Sequence, residues 1–229
     1  SSAYMAGIRD FDVNLAYAAS RKNELEGKNR PPGAGKLDVD RFVKYGYVNH
    51  LDSGRGSSET WQFSASHTLE YSFSSYAVAQ WAKLLGKTSD YQQLMRLSKG
   101  WEQIFDPALK LIHPKTADGK FINKFDPSQP WRGFQEGNAW QYTYFVPHQP
   151  LALVNKLGKA TFNARLDSTF TIAEKALFGG GSNIDAFAGI AGIYNHGNQP
   201  NLHASWLFNF SGKPSLTQKW VRAICNQFY

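Results

Sequence analysis

The stretch HTLEYSFSSYAVAQWAKLL, residues 67–85, decides the fold class. Leu69, Phe73, Tyr76, Ala77, Gln80, Trp81 and Leu84 recur at helical spacing and share one face. Gly86 is a natural C-terminal stop. Ser89 then caps a second helix predicted to reach about Phe105, and Asp106-Pro107 ends it. Two helices joined so tightly lie antiparallel. Outward from this pair, the same spacing predicts helices over residues 11–25, 150–158, 160–177, 203–210 and 215–228, with a short helical turn at 37–42. Ser215 and Gln218 fit a capping box. Residues 137–146 read as helix or buried strand, and 108–130 as irregular chain with Asp-Gly and Asp-Pro turns. Gly- and Pro-rich segments at 27–35, 52–58 and 179–181 read as loops. No convincing alternating strand is present. The expectation is an all-α fold of antiparallel helix pairs, which a toroid and a plain bundle satisfy equally.

The chain has 229 residues. That is long enough to bury about 70–75% of its unfolded surface without staples. No apolar run approaches the roughly 18 residues of a membrane helix, so no membrane span is expected. The single cysteine, Cys225, excludes a disulfide within the chain and a cysteine-based zinc site. Residues 1–7 lack the basic-then-apolar pattern of a signal peptide. The net charge of +7 permits an acidic partner, but the basic residues are scattered. Nucleic acid is therefore not the expected ligand. Aromatic residues make up 15% of the chain, and aromatic faces suit both cores and the C–H faces of sugars.

Two segments carry more polar chemistry than packing needs. WRGFQEGNAWQY, residues 131–142, places Glu136 among two glycines, three amides and large aromatics. A carboxyl held against apolar rings has a raised pKa, as a general acid requires. A glutamate capping a helix that starts at Gly137 would look the same. YNHGNQPNLH, residues 194–203, crowds four amides with His196 and His203. Loop amides donate and accept at once, which suits sugar hydroxyls. They also suit a loop that satisfies its own backbone. The two histidines, seven apart with no third ligand nearby, are a weak zinc pattern. Glycoside hydrolysis normally needs two carboxylates. Only Asp167, Glu174 and Asp185 follow Glu136, and Asp167 and Glu174 read as helix-surface charges. Glu59 and Glu70 flank the start of the 67–85 helix, with Glu70 the better site candidate and helix surface the simpler reading. The residues alone thus offer one good acid and no obvious base.

FQEGNAWQYTYFVPH (134–148) and YNHGNQPNLHASWLFNFSGKP (194–214) closely resemble glycoside hydrolase family 92, with supporting matches at YMAGIRDFD (4–12), SASHTLEYSF (64–73), the 85–91 run and LDSTF (166–170). The resemblance covers essentially the whole chain in order. It implies part of an (α/α)6 toroid, the catalytic domain of calcium-dependent, inverting exo-α-mannosidases. The family's N-terminal β-sandwich and the Gly-Asn-Asp-Asp type motif that carries its catalytic base are expected outside residues 1–229. A partial toroid would expose apolar helix faces, so the isolated chain is expected to aggregate or to need the rest of the enzyme or a partner chain. By resemblance, Glu136 matches the general acid. Trp140, Asn198, Gln199 and His203 are the expected substrate-binding residues. Calcium is the implied cofactor, with Asn138 and Gln141 as candidate ligands beside Asn198. The implied partner is a mannose-containing oligosaccharide of mannans or N-glycans, met in the periplasm or outside the cell.

Four acidic positions of the family pattern are neutral here. Gln199 stands for the Glu of the NEP motif, which resembles a leaving-group subsite position. Ser74-Ser75 replaces an aspartate pair, and Gln149 replaces the Asp after Pro-His. A sugar-binding relative with impaired turnover is the alternative reading, against which retained Glu136 argues. Asn209-Phe210-Ser211 matches a glycosylation sequon, but it falls inside a family motif and is read as coincidence.

Overall fold

The computed structural model describes residues 1–27, 35–51, 63–181 and 187–229. Residues 28–34 of the predicted 27–35 loop and the whole predicted 52–58 loop, together with Glu59 and Asp185, lie outside the described residues. The elements run α1 (Ser2–Met5), α2 (Val13–Leu25), α3 (Val39–Tyr45), α4 (Ser64–Leu84), α5 (Thr88–Leu97), α6 (Gly100–Gln103), β1 (Phe105–Asp106), β2 (Leu111–Ile112), α7 (Ala139–Tyr142), α8 (Pro150–Leu157), α9 (Lys159–Lys175) and α10 (Pro214–Phe228). Short 3-10 segments lie at Leu177–Gly179, Gln199–Asn201 and Ala204–Ser211. The described chain is all-α, with one two-stranded antiparallel ribbon pairing Phe105 with Ile112.

The central helix is α4, and its buried face differs from the predicted one. Leu69 and Trp81 are buried, but Phe73 and Leu84 are 38% and 54% exposed. The face that meets its neighbours is instead Ser64, Ala65, Thr68, Ser72, Ser75, Ala79 and Ala82. Small residues let other backbones come close, and the hydroxyls are used twice. Thr68 Oγ1 donates to the Ser64 carbonyl and accepts from Val48 N–H. Ser72 Oγ donates to the Thr68 carbonyl and accepts from Trp101 N–H. Burying them is tolerable because each finds partners. The apolar weight of the core lies in the aromatic residues of later segments. Trp101, Phe134, Phe162, Phe170, Phe178, Phe208 and Trp220 are among its largest fully buried side chains.

Local chemistry explains the other departures. Residues 88–105 do not form one helix, since α5 ends at Leu97 and α6 restarts at Gly100. The capping box at Ser215 is absent, because Pro214 occupies the first helical turn and Lys213 is the cap position. Residues 137–146 form neither a long helix nor a strand. They hold the single turn α7, capped by the Asn138 side chain and not by Glu136. The Asp118-Gly119 turn is present, with Gly119 at φ 81° and its N–H on the Thr116 carbonyl.

Three of the replaced acidic positions are structural in this chain. Ser74 and Ser75 hydroxyls donate to the carboxylate of buried Glu24, 3.3 and 2.8 Å away. Lys36 pairs with the same carboxylate and reaches Ser74 Oγ. Gln149 accepts from the Trp101 indole at 2.7 Å. A buried carboxylate thus remains beside Ser74-Ser75, but it is supplied by α2.

Two outcomes are expected for stability. A Cβ at Gly100 would lie 2.4 Å from the Gly46 carbonyl oxygen and 2.7 Å from Phe42. Gly100→Ala should therefore cost at least about 2 kcal/mol in urea unfolding. Burial drives the His148 pKa down to about 4 and also lowers that of His203. Their unfolded counterparts, near about 6.5, take up protons first on acidification. Stability should be full above that value and fall as pH drops toward 4, which denaturation curves over this range will read.

Candidate functional site

The segment carrying Glu136 is clamped to the start of α4. An α-helix begins with N–H groups that have no partner within it. Here the Gly133 carbonyl accepts two of them, from Ala65 at 2.9 Å and Ser66 at 3.1 Å. Ser66 Oγ accepts the N–H of Gln135 at 2.9 Å. The Tyr142 hydroxyl donates to the Gln135 carbonyl at 2.7 Å. From the opposite side, Asn198 Nδ2 donates to the Glu136 carbonyl at 2.8 Å. Glu136 itself is half-buried and sits at φ 54°, a left-handed conformation that costs a residue with a side chain about 1–2 kcal/mol. Trp131, at φ 68°, opens the same loop with the same strain. Strain of this kind persists only where surroundings over-determine the backbone. The two glycines are needed for space. A Cβ at Gly133 would lie 2.5 Å from Pro114, and one at Gly137 would lie 2.7 Å from Gln141 Oε1.

The candidate binding residues divide between positions that solvent reaches and the buried frame. Asn138 is wholly buried. Its Oδ1 caps α7, and its Nδ2 donates to the Ile190 and Gly192 carbonyls. Gln141 Nε2 donates to the Gly189 and Gly192 carbonyls at 2.9 and 2.7 Å. The two amides together pin the 189–192 loop. Trp140 is half-buried, with the Arg165 guanidinium 5.7 Å from its ring centre. Gln199 is exposed next to Asn198. His203 Nε2 donates to the Tyr144 carbonyl at 2.8 Å, and its ring meets Phe145 edge-on. His196 shares a hydrogen bond with the Tyr194 hydroxyl and stacks on Phe228. The two histidines are therefore committed separately.

A hard cation needs oxygen donors. Gln141 Oε1 is buried without a hydrogen-bond partner, so it fits as one such donor. The Asn138 oxygen is already spent on its cap. No group of three acidic, histidine or cysteine side chains suited to a metal occurs among the described residues. The fit to calcium is thus a single amide oxygen, with substrate and water needed to complete the shell. Residue types flagged the 131–142 and 194–203 segments, and the Asn198–Glu136 bond joins them. The roles of Ser66 and Gln135 were missed, because a serine two residues into a helix carries no signal until its partner loop is known. Asp167 is likewise not a free surface charge. It accepts from the Trp220 indole at 2.7 Å, with Lys219 nearby.

The sequence model of the glycosyl hydrolase family 92 catalytic domain matches residues 1–229. An uncharacterized secreted glycosidase of Arthroderma benhamiae is 27% identical over 96% of this chain and 29% of its own length. Among solved structures, the GH92 α-mannosidase BT3965 of Bacteroides thetaiotaomicron superposes with a TM-score of 0.80 at 29% identity. That match covers 99% of this chain and 27% of the other. The GH92 inverting mannosidase BT2199 of the same organism gives 0.81 at 26% identity, covering 99% and 30%. The chain therefore spans less than a third of the length of these relatives. A family-wide sequence match over every residue and a shared helical backbone agree: this all-α chain belongs to glycosyl hydrolase family 92.

Proposed function

We propose that the protein is an exo-acting α-mannosidase working with inversion, and that Glu136 is its general acid. The observation that carries this is the backbone of Glu136, strained and yet held through its own carbonyl and both peptide groups of Gln135. The substrate class is drawn from the relatives. One of them is a GH92 α-mannosidase solved in complex with mannoimidazole, at 27% identity to this chain.

In this reading Glu136 gives its proton to the departing glycosidic oxygen while water attacks the opposite face of the sugar. Inversion sets the acid and the water-activating carboxylate about 6.5–9.5 Å apart, leaving room for that water. Trp140 offers an aromatic face to the sugar, and Asn198 and Gln199 offer amide donors and acceptors. His203 holds the 3-10 segment that follows. A bound calcium ion would supply Lewis-acid binding of sugar hydroxyls, with Gln141 Oε1 as its protein ligand, and chelator should then lower activity. The natural substrate would be a mannan or N-glycan met outside the cytoplasm, since one relative is described as secreted. Among the described residues no helix is long and apolar enough to cross a membrane.

The turnover-impaired alternative loses much of its motivation, since Ser74, Ser75 and Gln149 are engaged in packing. Gln199 is the one replaced acidic position left exposed beside the site. We assign it to leaving-group choice: a neutral subsite tolerates an anionic neighbour such as a sugar phosphate.

In the full-length protein, Glu136→Gln should lower kcat/KM on α-mannosides by about 10²–10⁴-fold. The deficit should be smaller for substrates whose leaving group needs no proton. An unchanged rate would remove Glu136 from the mechanism, and NMR of the first-formed sugar anomer will read inversion directly. Gln199→Glu should shift preference from phosphorylated toward neutral mannosides. Equal preference in the parent enzyme would sink the subsite assignment.

A further inference from the structure

Glu70 is left unused by the reading above. It lies on α4 one turn beyond Ser66, and four-residue spacing puts the two on one helix face. That face is the one toward the acid loop, because Ser66 Oγ holds the Gln135 N–H. Tyr142 closes the other side. Its hydroxyl is bound to the Gln135 carbonyl; burial first, and then the charges of Glu70 and Glu136, disfavour its ionisation. The fields of Glu70 and Glu136 thus meet at the same tyrosine.

The neighbouring acids are committed. Glu24 is taken by Lys36, Ser74 and Ser75, and Asp38 by His67 and Arg41. Glu70 has no hydrogen bond or ion pair among the described residues, and it is exposed to solvent. The surrounding protein strips enough of its hydration to raise its pKa, against the opposing fields of His67 and Lys36. An unpaired carboxylate that solvent reaches is free to accept from a ligand's hydroxyl donors.

We propose that Glu70 is a substrate-binding residue beside the Glu136 loop, accepting hydrogen bonds from hydroxyls of the terminal sugar. The assignment rests on Glu136 being the acid. Charge-assisted hydrogen bonds of this kind are worth about 10–100-fold in affinity.

The test uses the full-length protein carrying Glu136→Gln, which binds without turnover, and mannoimidazole as probe in calorimetry. Adding Glu70→Gln should weaken binding by about 10–100-fold. Removing single hydroxyls from a mannoside identifies the partner: one deoxy analogue should bind more weakly to the parent but lose nothing further with Glu70→Gln. Ser66→Ala, which loosens the loop, should lower kcat in the active enzyme and leave that hydroxyl dependence intact. Unchanged affinity in Glu70→Gln overturns the proposal, as does a loss that is the same for every deoxy analogue, which would mark a structural role. If Glu136→Gln binds no mannose-based ligand, the mannosidase reading fails and Glu70 falls with it. Binding that persists while Glu70→Gln has no effect removes Glu70 alone.

Discussion

The loop that carries Glu136 depends on one carbonyl. Gly133 accepts two of the free N–H groups at the start of α4, those of Ala65 and Ser66, and so joins the loop to the longest described helix. The rest of the site follows from that joint. Gln135 lands on Ser66, Tyr142 reaches back to Gln135, and Asn198 arrives to hold the next carbonyl along. Every one of these contacts is made to backbone. The side chain of Glu136 projects from a backbone held at three of its peptide groups.

This explains how much was legible in advance. Helix existence was readable wherever apolar spacing was long and punctuated, as at 150–158, where Pro150 opens α8 and Gly158 follows its last residue. The face of α4 was not readable, because the rule that apolar residues point inward fails when a helix must approach others closely. There serine, threonine and alanine went in, and Phe73 and Leu84 stayed partly out. The two site segments stood out by composition alone. Their joint through Asn198 did not, since contacts across 62 residues leave no trace in local pattern. The recognised motifs named Glu136, but the physical reason for its place came only from Ser66, Tyr142 and Asn198.

The replaced acidic positions show why a motif difference has to be read in three dimensions. Counted along the sequence, four lost carboxylates suggest a weakened enzyme. In space, Glu24 brings a carboxylate to the hydroxyls of Ser74 and Ser75, with Lys36 alongside to balance its charge. Gln149 does hydrogen-bonding work for Trp101 that a neutral amide performs without burying an unpaired charge. Only the change at Gln199 faces outward beside the site.

The left-handed backbone at Glu136 sets stability and chemistry against each other at a single position. Glycine stands on either side at 133 and 137, so this loop already tolerates the residue that would relax it. Drift toward a sturdier fold would find one of its easiest gains in replacing Glu136 with glycine. A glutamate that stays at this position marks a side chain worth more to the protein than the relief its backbone would gain.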